Sequence, residues 1–370
     1  MEDIFALGDG LGPAKVIHIS QPQIGLKGVL VVDNVACGPA IGGLRMAEDV
    51  STAECARLAR AMTMKNAAAG LAHGGGKSVL CGDPKMAREE KERLIRAFAF
   101  ALRREEDYIF GPDMGTNEEC MAWVRDEIGR SVGLPCEVGG IPLDRLGATG
   151  WGLSQAVEMA IPHCDFALTG ARLVVQGFGA VGKHSARFLA QQGVILVGAS
   201  DSRGTLHDPA GIRVEELIRI KEQGGSVLEY PGGAKLERDA AIDLECEIWV
   251  PAARPDVLHE DNVHRLKTRL VAQGANIPLT LGAEQYLHDH GVLCLPDFIA
   301  NAGGVICAAM EYHGSTQNEA FRTIAEKIRD NTQQVLVEAD QQGILPRQAA
   351  VNLATRRVKR AMSFKRWGIF

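Results

Sequence analysis

Arg172-Leu173-Val174-Val175-Gln176-Gly177-Phe178-Gly179-Ala180-Val181-Gly182 is the stretch that decides the fold. Its first five residues read as a short apolar strand, and a GxGxxG pattern follows at once. Residues 183–192 have helical composition, Gly193 stops them, and Val194-Ile195-Leu196-Val197-Gly198 reads as a second strand that runs on to Asp201, 19 residues after Gly182. A lone GxGxxG is weak evidence. Between a strand and a helix, with a second strand and an acid at about 20 residues, it predicts a dinucleotide-binding βαβ unit. Gly177 allows the tight turn, Gly179 lets backbone approach a pyrophosphate, and Gly182 permits close helix–strand packing; Phe178, Ala180 and Val181 complete the phosphate loop. The helix N-terminus then offers free N–H groups to the phosphates. Asp201 is the expected acceptor for the adenosine ribose hydroxyls and so favours NAD. Ser202 and Arg203 beside it suit a 2′-phosphate, which leaves NADP open. The plain alternative is a Gly-rich turn without a ligand.

Working outward toward the C-terminus, residues 247–253, 270–276 and 291–297 each read as a strand followed by a loop. In a doubly wound sheet such loops line the ligand crevice, which makes Ala252, Asn276 and Asn301 candidate cofactor contacts. Isolated asparagines also serve as ordinary turn formers. Residues 319–360 are polar and helical in composition, as amphipathic helices that pack back on the body would be.

Working outward toward the N-terminus, Met64-Lys65-Asn66-Ala67-Ala68-Ala69-Gly70-Leu71-Ala72-His73-Gly74-Gly75-Gly76-Lys77 carries two lysines around an apolar run and three glycines. Bare glycines let a ligand approach backbone, and a lysine held over them is open to desolvation, which lowers an amine toward useful proton-transfer range. The competing expectation is a helix ending in a flexible Gly turn with a surface lysine. Gly76-Lys77-Ser78 invites comparison with a phosphate-binding P-loop, but that motif needs glycine where Leu71 stands. Ser51 with Glu54 has capping-box spacing and predicts a helix over 52–68. Residues 37–46, rich in Gly and Pro, read as a turn with Ile41 at its centre. Asp113 stands in a Gly/Pro loop after the strand-like Tyr108-Ile109-Phe110, where an acid or base would sit if that strand pointed into a cleft.

The 370 residues predict two domains, and a net charge of -6 argues against nucleic-acid or anionic-membrane partners. Nine scattered cysteines without a CxxC pair, no signal sequence and no apolar run long enough to span a bilayer fit a reducing cytoplasm, with no metal site expected.

Taken together, Gly38–Met46 (GPAIGGLRM), Met62–Ser78 (MTMKNAAAGLAHGGGKS), Gly111–Thr116 (GPDMGT), Ala148–Gly152 (ATGWG), Gly177–Gly182 (GFGAVG), Gln273–Asn276 (QGAN) and Asn301–Val305 (NAGGV) make the chain resemble the glutamate/leucine/phenylalanine/valine dehydrogenase family over nearly its whole length. The resemblance implies an α/β fold of two domains: a substrate-binding and oligomerisation domain over 1–145, a Rossmann domain over 146–330, and helices over 331–370 that return to the first. It implies oxidative deamination of an L-amino acid to a 2-oxo acid and ammonium, with NAD or NADP accepting hydride, in a homo-oligomer. Lys65 would bind the substrate α-carboxylate with help from Gly43. Lys77 would polarise the carbonyl or carbinolamine oxygen and activate water, and Asp113 would exchange a proton with the substrate nitrogen. Thr149 and Asn276 would line the nicotinamide, and Asn301 the amine or nicotinamide.

Side-chain selection follows from the same resemblance. Glutamate-specific relatives place a lysine where this chain has Ile41, and a serine where it has Ala308, one turn after Val305. With both partners absent, a substrate carboxylate would be buried unpaired, which costs several kcal/mol. The pocket is thus similar to that of leucine and valine dehydrogenases, with glutamate or phenylalanine as alternative substrates of the same family. Ala180 stands where the family usually has Asn and Arg254 where an apolar residue is common, and Ser-Asp-Ser-Arg at 200–203 is more similar to the glutamate branch than to the leucine branch. A malic-enzyme-like decarboxylating dehydrogenase would need a carboxylate metal cluster, and a cofactor-binding scaffold would not need Lys65, Lys77 and Asp113 together.

Overall fold

A computed structural model describes residues 4–370. The chain forms two compact units. Of the described residues, one comprises 4–142, 305–320 and 351–370; the other comprises 143–304 and 321–350. The predicted third segment, 331–370, is thus divided between the two units rather than grouped with one.

The first unit carries β1 (Lys15–Gln21), β2 (Leu26–Asn34), β3 (Ala40–Ala47), α1 (Thr52–Ala68), β4 (Gly74–Cys81), α2 (Arg88–Ala101), β5 (Tyr108–Pro112) and α3 (Glu118–Ile128). The second carries α4 (Leu143–Leu146), α5 (Ala148–Ala160), β6 (Arg172–Gln176), α6 (Ala180–Gln191), β7 (Ile195–Ser200), β8 (Thr205–His207), α7 (Val214–Glu222), β9 (Ala234–Leu236), β10 (Ile248–Pro251), β11 (Leu270–Ala272), α8 (Leu281–Asp289), β12 (Leu293–Leu295) and α9 (Asp297–Ala300). The division of units falls inside the last three helices, α10 (Gly303–Tyr312), α11 (Gln317–Gln342) and α12 (Pro346–Met362).

The first sheet has the order β1-β2-β4-β3-β5, antiparallel across β1, β2 and β4 and parallel across β4, β3 and β5. Side chains alternate between its faces. Ala40, Leu44, Met46, Leu80, Tyr108 and Phe110 pack with Leu94, Phe98, Met121 and Val124 of α2 and α3. The opposite face therefore carries Ile41, Gly43 and Arg45 of β3, Gly75, Lys77 and Val79 of β4, and Gly111 at the end of β5. Val79 packs there against Cys55 and Ala59 of α1.

Residues 40–47 correct the predicted turn: they form a central parallel strand. The glycines make this possible, because a Cβ on Gly42 would lie 1.8 Å from the Gly76 carbonyl oxygen. The glycines before Lys77 are likewise strand residues, all buried. A Cβ on Gly75 would lie 1.9 Å from the Thr63 backbone nitrogen, so this glycine lets α1 rest directly on β4. Its role is packing within the protein, not ligand approach. The helix itself begins as the capping box predicts, with the Ser51 side chain accepting from the Glu54 N–H. Gly75→Ala forces α1 off the sheet. Overpacking of this kind costs about 1–3 kcal/mol, more where backbone must move. Urea unfolding checks it, the expected result being a midpoint well below that of the parent chain.

The second sheet has the order β12-β11-β10-β6-β7-β8-β9, parallel from β12 to β7, with β8 and β9 antiparallel at one edge. From β6 the chain crosses through α6 to β7 on one side and, after β8 and β9, returns to β10 on the other side of β6. That reversal is the switch point where an open α/β sheet parts at its carboxyl ends.

Candidate active site

Two constellations form, one in each unit. In the first, the face of the sheet opposite α2 and α3 brings Lys77, Asp113 and Arg45 together. Lys77, 5% exposed, donates from Nζ to Asp113 Oδ2 at 2.6 Å. Arg45 Nε donates to the same oxygen at 3.0 Å, and its Nη1 donates to Glu54 Oε1 of α1 at 2.6 Å. Burial works against the Asp113 carboxylate, but the Lys77 and Arg45 charges outweigh it and hold the group below the usual carboxylate range. Gly43 is what lets the cluster close, since a Cβ there would lie 2.8 Å from Asp113 Cβ and 3.1 Å from Lys77 Nζ. Thr116 fixes the loop from behind: its Oγ1 accepts from the Asp113 N–H and donates to the Leu44 carbonyl.

Lys65 lies in the last turn of α1, half-buried. The adjacent Asn66 donates from Nδ2 to the carbonyls of Gly74 at 2.7 Å and Ile41 at 3.3 Å, tying this turn to the start of β3 and β4. Ile41 is 3% exposed and shares the sheet face of Gly43, Arg45 and Lys77. Val305 and Ala308 lie three residues apart on α10, hence on one helix face, with Ala308 nearly buried.

In the second unit a cavity of about 500 Å³ opens at the carboxyl ends of β6 and β10, lined by Gln176 to Gly179, Ser200 to Ser202 and Ala252 to Arg254. Gly177 adopts φ +95°, where L side chains are strained, and packs against Ala253. A Cβ on Gly179 would meet nothing within 4 Å, which leaves its backbone open to a ligand. On Gly182 it would lie 2.0 Å from the Gly177 carbonyl oxygen, the close helix–strand contact expected of the third glycine. The Gln176 Oε1 and Asn301 Oδ1 atoms are buried without a hydrogen-bond partner. Asn301 Nδ2 donates to the carbonyls of Gly274 and Ala275 and to Asn276 Oδ1, at 3.1–3.3 Å. Thr149, in the first turn of α5, faces the start of α10: a Cβ on Gly304 would lie 3.1 Å from Thr149 Oγ1.

Asp201 differs from expectation. Its Oδ1 accepts from the Arg203 N–H and Ser226 Oγ, and its Oδ2 accepts from Lys221 Nζ and the Val227 N–H, at 2.7–3.0 Å. A carboxylate has about four acceptor positions, so these four donors occupy it. Ser202 lines the cavity, while Arg203 pairs with Glu229 and is not part of the lining. Lys221, Arg238 and Arg254 are lining cations instead.

A family model described as Glutamate/Leucine/Phenylalanine/Valine dehydrogenase matches residues 139–366, and the Glu/Leu/Phe/Val dehydrogenase dimerisation domain matches residues 13–130. The chain belongs to this amino-acid dehydrogenase family. Similar proteins include the glutamate dehydrogenase of Aeropyrum pernix, 36% identical over 359 residues covering 90% of this chain and 85% of that one. The glutamate dehydrogenase of Thermotoga maritima is 37% identical over 363 residues, covering 93% and 86%. Among solved structures, the hetero-hexameric glutamate dehydrogenase of Thermus thermophilus in its Leu-bound form superposes with a TM-score of 0.84 at 29% identity, covering 95% of this chain and 90% of that one.

As a member of this family the protein is an NAD(P)-dependent oxidoreductase acting on the CH–NH2 group of an amino acid, with the two-domain α/β fold of such dehydrogenases. The second unit's open Gly179 and orphaned Gln176 and Asn301 oxygens fit a dinucleotide, which supplies hydride acceptance. In this amino-acid dehydrogenase the sequence patterns located both constellations but missed Arg45, Lys221 and Arg238. Arg45 had one available signal, its alternation with Ile41 and Gly43 along a strand, which the predicted turn concealed. Among the described residues no helix is long and apolar enough to cross a membrane, and no three His, Cys, Asp or Glu side chains are grouped to hold a metal.

Proposed function

We propose that this dehydrogenase reversibly deaminates an aliphatic L-amino acid, such as leucine, valine or isoleucine, to its 2-oxo acid and ammonium. In this reading Lys65 and the Gly43 backbone anchor the α-carboxylate. Lys77 donates a hydrogen bond to the oxygen that develops on the reacting carbon and orients water, while Asp113 takes a proton from the substrate nitrogen and returns it to the departing ammonia. Hydrolysis of the imine needs these three functions at once: an anchor, a polarising cation and an acid/base on nitrogen. The residues proposed to hold the dinucleotide are Gly177 to Gly182 at its phosphates, Ser202 and Ala252 toward its adenosine half, and Thr149, Asn276 and Asn301 toward its nicotinamide. Asp201 would reach a ribose only by giving up one of its present donors. Its charge is already matched by Lys221, so it discriminates weakly against a 2′-phosphate. Oligomerisation through the first unit is part of the same proposal, supported by the dimerisation-domain match.

The observation that carries the substrate class is Ile41. A buried apolar side chain occupies the sheet face of Lys77 and Asp113, and the small Ala308 adds no charge. A second reading, glutamate as substrate, is favoured by the names of the Aeropyrum pernix and Thermotoga maritima relatives. Cofactor reduction at alkaline pH, crossing NAD and NADP with a panel of aliphatic, aromatic and acidic L-amino acids, separates them. The expected result is turnover of the aliphatic substrates with either cofactor. Turnover of glutamate and of no aliphatic substrate removes the Ile41 reading.

A further inference from the structure

We propose that Arg45 is a positioning residue for Asp113: by bonding the same carboxylate oxygen as Lys77, it leaves the second oxygen turned to the substrate nitrogen. The inference rests on the reading of Asp113 as the acid/base on nitrogen and deepens it. Two cations converge on Oδ2, Lys77 Nζ at 2.6 Å and Arg45 Nε at 3.0 Å, whereas Oδ1 makes no hydrogen bond among the described residues. With the Asp113 side chain about a quarter exposed, Oδ1 is the atom open to a ligand. A carboxylate held by one lysine alone would rotate about its Cβ–Cγ bond and exchange its oxygens. A second donor from the neighbouring strand removes that freedom.

Arg45 is itself held. Its Nη1 donates to Glu54, whose backbone N–H is in turn capped by Ser51 at the start of α1. Charge therefore runs Glu54, Arg45, Asp113, Lys77, and Arg45 is the member that ties the helix to the acid/base. Of the ionisable groups nearby, Cys55 of α1 packs on this face, whereas Tyr108 of β5 lies on the other, its hydroxyl bonded to Ser78 and the Gly42 carbonyl. Burial pushes the Cys55 thiol up to about 12 and the Tyr108 hydroxyl well above its ordinary value, so neither titrates below alkaline pH.

The Arg45 charge favours the ionised form of Asp113, so removing it raises the pH at which Asp113 gains a proton. If deamination requires the ionised carboxylate, the acidic limb of the kcat/KM profile follows Asp113's titration and moves with it. Arg45→Gln is expected to shift that limb to higher pH and to lower kcat at neutral pH about tenfold or more. Arg45→Lys, which keeps the charge, is expected to restore the limb toward the parent position, whereas Glu54→Gln, which removes a like charge and keeps an acceptor for Arg45 Nη1, is expected to move it slightly to lower pH. NADH affinity, read by fluorescence titration, should be unchanged in all three and reports that the fold is intact. Arg45→Gln with reduced kcat but an unmoved limb overturns the inference. Asp113→Asn separates the two levels: if it abolishes the limb, the acid/base reading stands whatever Arg45 does, and if it keeps the parent limb and rate, that reading falls first. Should Arg45→Gln not fold, Arg45→Met, which keeps the apolar stem without the charge, is read for the same shift.

Discussion

Lys77→Ala is expected to reduce amino-acid oxidation by about 10²–10⁴-fold, the span associated with a positioned acid–base or oxyanion-stabilising group. The side chain is almost fully enclosed and its Nζ sits 2.6 Å from Asp113, so water cannot take over its place at the reacting oxygen. Its loss also leaves Asp113 with Arg45 as its only cationic partner. NADH binding should survive, because the cavity that suits the dinucleotide is built from residues 176–265 of the other unit, none of which Lys77 supports. Stopped-flow turnover and fluorescence titration on the same preparation check both halves. A near-parent rate would remove Lys77 from the chemistry. Lost cofactor affinity together with lost turnover would point to a folding defect.

Ile41→Lys is expected to exchange the substrate preference. In the proposed reading a glutamate side chain would bring its carboxylate against the buried Ile41, which offers it no partner. Burying such a charge unpaired costs several kcal/mol, or about 10²–10³ in kcat/KM. Placing an ammonium at position 41 supplies the partner for glutamate and, with an aliphatic substrate, buries a lone charge of its own. Activity with leucine or valine should fall about 10²-fold while that with glutamate rises from its parent level. Both values come from steady-state kinetics on the two enzymes. If the variant loses leucine activity and gains none with glutamate, position 41 contributes packing without selecting the side chain.

These two variants probe features that differ in how far sequence exposes them. Position 41 stood out as an apolar residue in a Gly/Pro-rich segment, but its neighbourhood depended on that segment being a strand. Gly42 and Gly43 look like turn residues in isolation. Only when β4 and β5 pair on either side does their lack of a side chain become the condition for a strand crossing so close to Gly76 and Asp113. The glycines at 74–76 behave the same way. They suggest ligand approach in one dimension, and in three each makes room for a neighbour: Gly74 for the Asn34 carbonyl, Gly75 for α1 and Gly76 for the Tyr108 ring.

What the sequence determined by itself is what local order encodes: the strand–glycine–helix unit at 172–201, the capped helix at 52–68, and the lysine and aspartate proposed to carry the chemistry. Neighbouring residues in those segments meet through fixed periodicity, so spacing is enough to place them. Tertiary structure alone decided the partners. Arg45 reaches Asp113 across 68 residues of chain, and three of the four donors to Asp201 come from 20 to 26 residues away. Such contacts depend on which strands pair and in what register, and hydrogen-bonding capacity carries no label of the distant group that will satisfy it.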